Sequence, residues 1–163
     1  MTDTTTFATA LIEADTQVPM IRITRDFAAT PAQVHRAHTD PDLYAAWVGP
    51  DDLSTRIDHW DARTGGSWAF TNLRGEETFS FHGSFHEVSP LRLVQTFTYD
   101  AWPESVSLET LTLTDLGDGR TRMVVTSLVE SFAARDQWLA SGMETGINEG
   151  YAALDSLLAV GRL

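Results

Sequence analysis

The chain has 163 residues, a formal net charge of −12 at pH 7 and no cysteine. A chain of this length makes one domain that buries about two thirds of its unfolded surface, and the lack of thiols excludes disulfides, thiol chemistry and cysteine-bound zinc. The negative field repels phosphate backbones and anionic lipid, and no run approaches about 18 apolar residues, so the reading is a soluble, cytoplasmic protein with no nucleic-acid or membrane partner.

Residues 1–19 hold Asp3, Glu13 and Asp15 with no basic residue and no apolar core ahead of a small-residue cleavage site, which argues against a leader peptide. They read as a mobile N-terminal arm with one helical turn at Phe7 to Glu13, and residues 20–163 as a single domain. Met20 to Phe27 alternates Ile21, Ile23 and Phe27 against Arg22, Thr24 and Asp26, the period-2 pattern of a strand with one wet face. Thr30-Pro31 and Asp40-Pro41 each place a capping side chain before proline at the first helical position. They predict two short helices, about Pro31 to His38 and Pro41 to Trp47, closed by Gly49-Pro50.

From Arg56 the texture is strand and turn: Arg56 to Ala62, Ser67 to Asn72, Thr78 to Val88, Arg92 to Tyr99, Ser105 to Thr114 and Thr121 to Val129. Short turns such as Gly65-Gly66 and Gly117-Asp118-Gly119 pair sequential strands as antiparallel neighbours, because a parallel crossover needs a dozen or more linking residues. With the first strand they make seven.

The last segment reads as one helix from an N-cap at Ser131 to about Val160, roughly 40 Å long at 1.5 Å per residue. Leu139, Met143, Ile147, Leu154, Leu157 and Leu158 fall on one arc, and Gly142, Gly146 and Gly150 share it. Those glycines weaken the helix by roughly 3 kcal/mol in total. Either they allow close approach of helix to sheet, or bare backbone on the inner face leaves space for a ligand. The fold class is α+β: a curved seven-stranded antiparallel sheet wrapped around the long C-terminal helix, with two short helices after the first strand. One helix fills such a concavity less tightly than a second sheet would, so an internal pocket follows.

Four stretches, ITRDFAATPAQVHRAHTDPDLYAAWVGP at 23–50, RTGGSW at 63–68, FHGSFHEVSPLRLV at 81–94 and ARDQWLASGMETG at 134–146, resemble the activator of heat shock protein 90 ATPase homologues, within the START and birch-pollen-allergen-like superfamily. The resemblance implies the helix-grip fold around a cavity for an apolar small molecule. It implies no single activity, since the superfamily spans carriers, receptors, cyclases and chaperone-associated domains. Relatives often carry tryptophan where this chain has Val48 and Ile147, so aromatic bulk is reduced here. Residues 1–19 are too short to be the separate chaperone-docking domain of the eukaryotic co-chaperones.

The candidate ligand-binding residues are Trp47, Trp60, Trp68, Phe70, Phe79, Phe81, Phe97, Tyr99, Trp102, Glu109, Met143, Gly146, Ile147 and Gly150. The alternative for the aromatic residues is plain core. An enzyme, for instance of the cyclase or dehydratase type, would need an inward titratable group, and His82, Glu109, Tyr99 and Arg74 are the candidates; burial among aromatics would raise a glutamate's pKa. Edge salt bridges or solvent-facing positions explain them equally well. His82 and His86 lie about 13 Å apart along a strand and cannot share an ion. His35 and His38, on a short helix without a third ligand, read as a solvated face. No phosphate loop, nucleophile elbow or His-Glu-x-x-His run is present, so no cofactor or metal is expected. The leading function is a non-catalytic carrier or sensor of an apolar or aromatic molecule; the alternatives are the enzyme and a chaperone-linked interaction module. A homodimer through a sheet edge is open.

Overall fold

A computed structural model describes residues 5–161. Its elements are β1 (Leu11–Ala14), β2 (Met20–Phe27), α1 (Pro31–Thr39), α2 (Pro41–Trp47), β3 (Ser54–Trp60), β4 (Ser67–Arg74), β5 (Glu77–Ser89), β6 (Arg92–Tyr99), β7 (Ser107–Gly117), β8 (Arg120–Leu128), α3 (Phe132–Ala140) and α4 (Met143–Ala159). The strands form one antiparallel sheet in the order β1-β2-β8-β7-β6-β5-β4-β3. The short turns make β3 to β8 a continuous meander, and β2 pairs with the last strand along its whole length, from Met20 opposite Leu128 to Phe27 opposite Thr121. Register shifts at Ile57/His59, Phe85/Glu87 and Asp115/Gly117 add local twist that bends the sheet.

The caps act as their chemistry requires. Thr30 and Gln33 form a reciprocal capping box at α1, and the Asp40 carboxylate accepts from the Asp42 and Leu43 amides at α2. Val34 and Ala37 on α1 and Trp47 on α2 are buried against Ile23, Phe27, Leu111, Leu113, Met123 and Val125 from the sheet and Tyr151, Leu154 and Leu158 from α4. A second cluster, Trp68, Phe70 and Phe85, lies toward the β3 end, and Tyr44 on α2 packs against both.

This is the helix-grip fold, with two corrections. The sheet has eight described strands, not seven: Leu11 to Ala14, within the segment read as an arm, pairs with Thr24 to Ile21 of β2, and no helical turn forms there. The C-terminal segment is two helices, not one. Ser131 does cap the first, accepting from the Ala134 amide. Gly142 then takes φ 85°, the left-handed conformation that ends helices, and α4 begins after it. The helix facing the sheet therefore has 17 residues and spans about 25 Å. Among the described residues no helix is long and apolar enough to cross a membrane.

Candidate functional site

Between α4 and the sheet, covered by α2, lies a cavity of about 610 Å³, within the range that holds a small organic ligand. Its aromatic wall is built by strand alternation: Trp68 and Phe70 on β4, Phe79 and Phe81 on β5, Phe97 and Tyr99 on β6. All of these rings but Phe79 run in continuous contact, with centroid distances of 5.5 Å for Trp68–Phe70, 5.2 Å for Phe70–Phe81, 5.3 Å for Phe81–Phe97 and 5.1 Å for Phe81–Tyr99. Tyr44, Trp47 and Trp60 close the α2 side. The Trp47 indole donates to the Ala37 carbonyl at 2.9 Å and the Trp60 indole to the Thr39 carbonyl at 2.7 Å, so both rings are anchored by their polar edges and offer carbon to the space. The Trp68 indole N–H is buried with no hydrogen-bond partner among the described residues.

α4 supplies Met143, Gly146, Ile147, Gly150 and Tyr151, and its glycines divide between the two readings. A Cβ on Gly150 would come within 3.2 Å of the Trp47 carbonyl oxygen and 3.5 Å of the Gly49 nitrogen, so this glycine permits close backbone approach. A Cβ on Gly146 would meet only Pro50 side-chain carbons, at 3.4 Å and beyond. Gly142 is the helix break itself.

One polar row crosses the apolar lining. Glu109 on β7 stands opposite Gln95 of β6 and Ser127 of β8 in the ladder, so the three side chains share the cavity face. Burial pushes the Glu109 carboxyl up to about 7, and no hydrogen bond offsets it. Burial also raises the Tyr44 and Tyr151 phenols, with the nearby Glu109 charge adding to it. His38, also on the lining, is pushed down to about 4 by burial; its ring nitrogen lies 2.8 Å from the Val34 carbonyl. Arg74 at the rim is engaged by Asp52 at 2.9 Å and Glu77 at 3.3 Å.

All the candidate ligand-binding residues named from the sequence line this space except Trp102. Trp102 packs instead between Tyr99 and Trp138, with centroids at 6.1 Å and 5.7 Å. His82 faces outward and pairs with Asp100 at 2.6 Å. The solvated-face reading of His35 and His38 is overturned: His38 is buried against Trp47, and His35 is half-buried with its Nε2 shut off from solvent. Sequence reading missed Tyr44, Gln95, Ser127 and Tyr151. Tyr44 stands three residues before Trp47 and Tyr151 four after Ile147, both helical same-face spacings, and Gln95 stands two before Phe97 on one strand.

A model of the family described as "Activator of Hsp90 ATPase homolog 1-like protein" matches residues 28–159. The chain belongs to that family. Solved structures similar to it include a Rhodobacter sphaeroides protein at 28% identity and TM-score 0.83, over 92% of this chain and 98% of that one. A Mycobacterium smegmatis protein matches at 22% and 0.81 over 91% and 96%, and a Silicibacter pomeroyi protein titled AHSA1 at 20% and 0.71 over 88% and 99%. The last two show the shared fold alone. No curated protein matches the chain. Val48 and Ile147 both line the cavity.

Proposed function

We propose that the protein binds an apolar or aromatic small molecule in the cavity between α4 and the sheet, as a non-catalytic carrier or sensor in the cytoplasm. The observation that supports this is the volume of about 610 Å³ under a continuous aromatic wall. A core of this composition packs without voids unless the space has a use. The domain assignment is one binding unit over residues 20–163, acting alone or as a homodimer. Among the described residues no group of three His, Asp or Glu side chains is placed to hold a metal, and the reading assigns no metal or cofactor.

The test is titration with an environment-sensitive apolar dye on the wild-type chain and on Gly146→Leu and Ile147→Trp. The wild type binds near one equivalent in its folded form. The variants keep their urea midpoints and lose dye capacity, because the added side chains occupy the space. No binding to folded protein, or full capacity in both variants, refutes a preformed cavity.

A second reading rests on Glu109, a carboxyl poised near neutrality among protonated phenols, which suits acid–base catalysis of the cyclase or dehydratase kind. Turnover abolished by Glu109→Gln, with dye binding intact, would favour the enzyme.

A further inference from the structure

We infer that the ligand is an aromatic or apolar molecule bearing a basic nitrogen, held with that nitrogen against Glu109. This rests on the cavity reading above and adds the head group. Glu109 sits in the middle of β7 with its carboxyl turned into the space, and no side chain of the described residues bonds to it. The cations around the space are committed elsewhere. Arg25, close enough to act on the Tyr151 phenol, is buried and paired with Asp155. Arg74 lies at the rim under two carboxylates, and His38 is neutral and turned to the Val34 carbonyl. Tyr44 and Tyr151, from α2 and α4, are neutral donors that bring no compensating positive charge.

Glu109 is half-buried, its carboxyl opening onto the cavity, and a carboxyl that faces apolar walls with no partner among the described residues carries a desolvation cost. A protonated amine removes it by supplying the missing charge and two or three donors at once. The aromatic faces around the site attract a cation through their quadrupoles, and the chain's net charge of −12 draws cations toward its mouth. A carboxylate ligand would have to bring a proton or meet repulsion, and a neutral alcohol satisfies one hydrogen bond and no charge.

The experiment compares naphthylethylamine, naphthylethanol and naphthylacetate by titration calorimetry at about pH 8, where Glu109 is mainly ionised and the amine charged. The three share one aromatic body and differ in the head. The wild type binds the amine about tenfold or more tighter than the alcohol, with the acetate weakest. Glu109→Gln, which keeps size and shape, abolishes the amine preference, so that amine and alcohol bind within about twofold of each other. The alcohol or acetate matching the amine on the wild type overturns the head-group assignment while leaving the cavity reading, and needs no variant. An amine preference that survives Glu109→Gln also overturns it. Binding of the apolar dye with none of the three probes bound defeats the head group alone; failure of dye and probes together defeats both.

Discussion

At the residue scale, two titratable groups on the cavity lining, the buried His38 and the half-buried Glu109, act on stability in opposite directions over the same pH window. Glu109 titrates at about 7 in the fold against 4.5 when free, so the unfolded chain gives up its proton first. The stability it allows is complete below 4.5, falls as pH rises to about 7, and stays low above that. His38 titrates at about 4 in the fold against 6.5 when free. Its contribution is complete above 6.5 and is lost as pH falls toward 4. Between 4.5 and 6.5 the two slopes oppose each other; burial also lowers His35, which adds to the His38 side, so the wild type rises only gently with pH. Glu109→Gln removes one side of the balance. It should be more stable than wild type at about pH 8 by roughly 2–3 kcal/mol, and its stability should climb between pH 5 and 6.5 by about 1 kcal/mol per unit. Urea denaturation of both proteins across that range checks it. A wild type and variant with parallel profiles would mean that the carboxyl is solvated.

At the scale of elements, three glycines that fall on one arc of a helical wheel have three different roles, and only structure separates them. Gly142 holds φ 85° with open space around its Cβ direction, so Gly142→Ala costs about 1–2 kcal/mol from backbone conformation alone. Gly146→Ala meets only Pro50 carbons at ordinary contact distance and gains about 0.7–1 kcal/mol of helix propensity. Gly150→Ala earns the same propensity but drives a methyl toward the Trp47 carbonyl, so its net effect falls below that of Gly146→Ala. Urea midpoints should rank Gly146→Ala above wild type and Gly142→Ala below it; the reverse order would refute the assignment. Period-2 alternation and Pro/Gly punctuation made β2, α2 and β6 legible to the residue, since those signals are local. The break at Gly142 was not legible by periodicity, because a wheel continues through any residue; the Ala-Ser-Gly stop was the signal that carried it. Likewise the aromatic wall was readable from strand phase, whereas Glu109's isolation depends on what Gln95, Ser127, Tyr44 and Tyr151 place around it, which no single strand records.

At the scale of the whole molecule, the sheet is closed at one edge by residues that look unstructured in sequence. Asp26 is almost wholly buried and holds Arg122 at 2.9 and 3.0 Å, and its carboxylate also accepts from the Phe7 amide at 3.0 Å. Burial raises this carboxyl, but the Arg122 and Phe7 hydrogen bonds outweigh it and hold the group below its usual value. The Arg122 guanidinium lies 4.8 Å from the Phe7 ring centre, and the Ala10 amide donates to Asn148 on α4 at 3.1 Å. β1 then covers the outer edge of β2. The segment thus ties β2, β8 and α4 together, far in sequence from two of them. Deleting residues 1–14 removes the two hydrogen bonds that Asp26 exchanges with the Phe7 backbone, those of Arg122 to the Thr5 carbonyl, Arg120 to the Thr6 hydroxyl and Ala10 to Asn148, and the β1 ladder, a loss of about 3 kcal/mol or more. It also bares the backbone edge of β2, which is long, regular and suited to pairing with another copy. The truncated chain should unfold at lower urea and shift toward a dimer in light scattering as concentration rises. Retention of both the full-length midpoint and the full-length mass would show that the sheet ends at β2 without need of this strap.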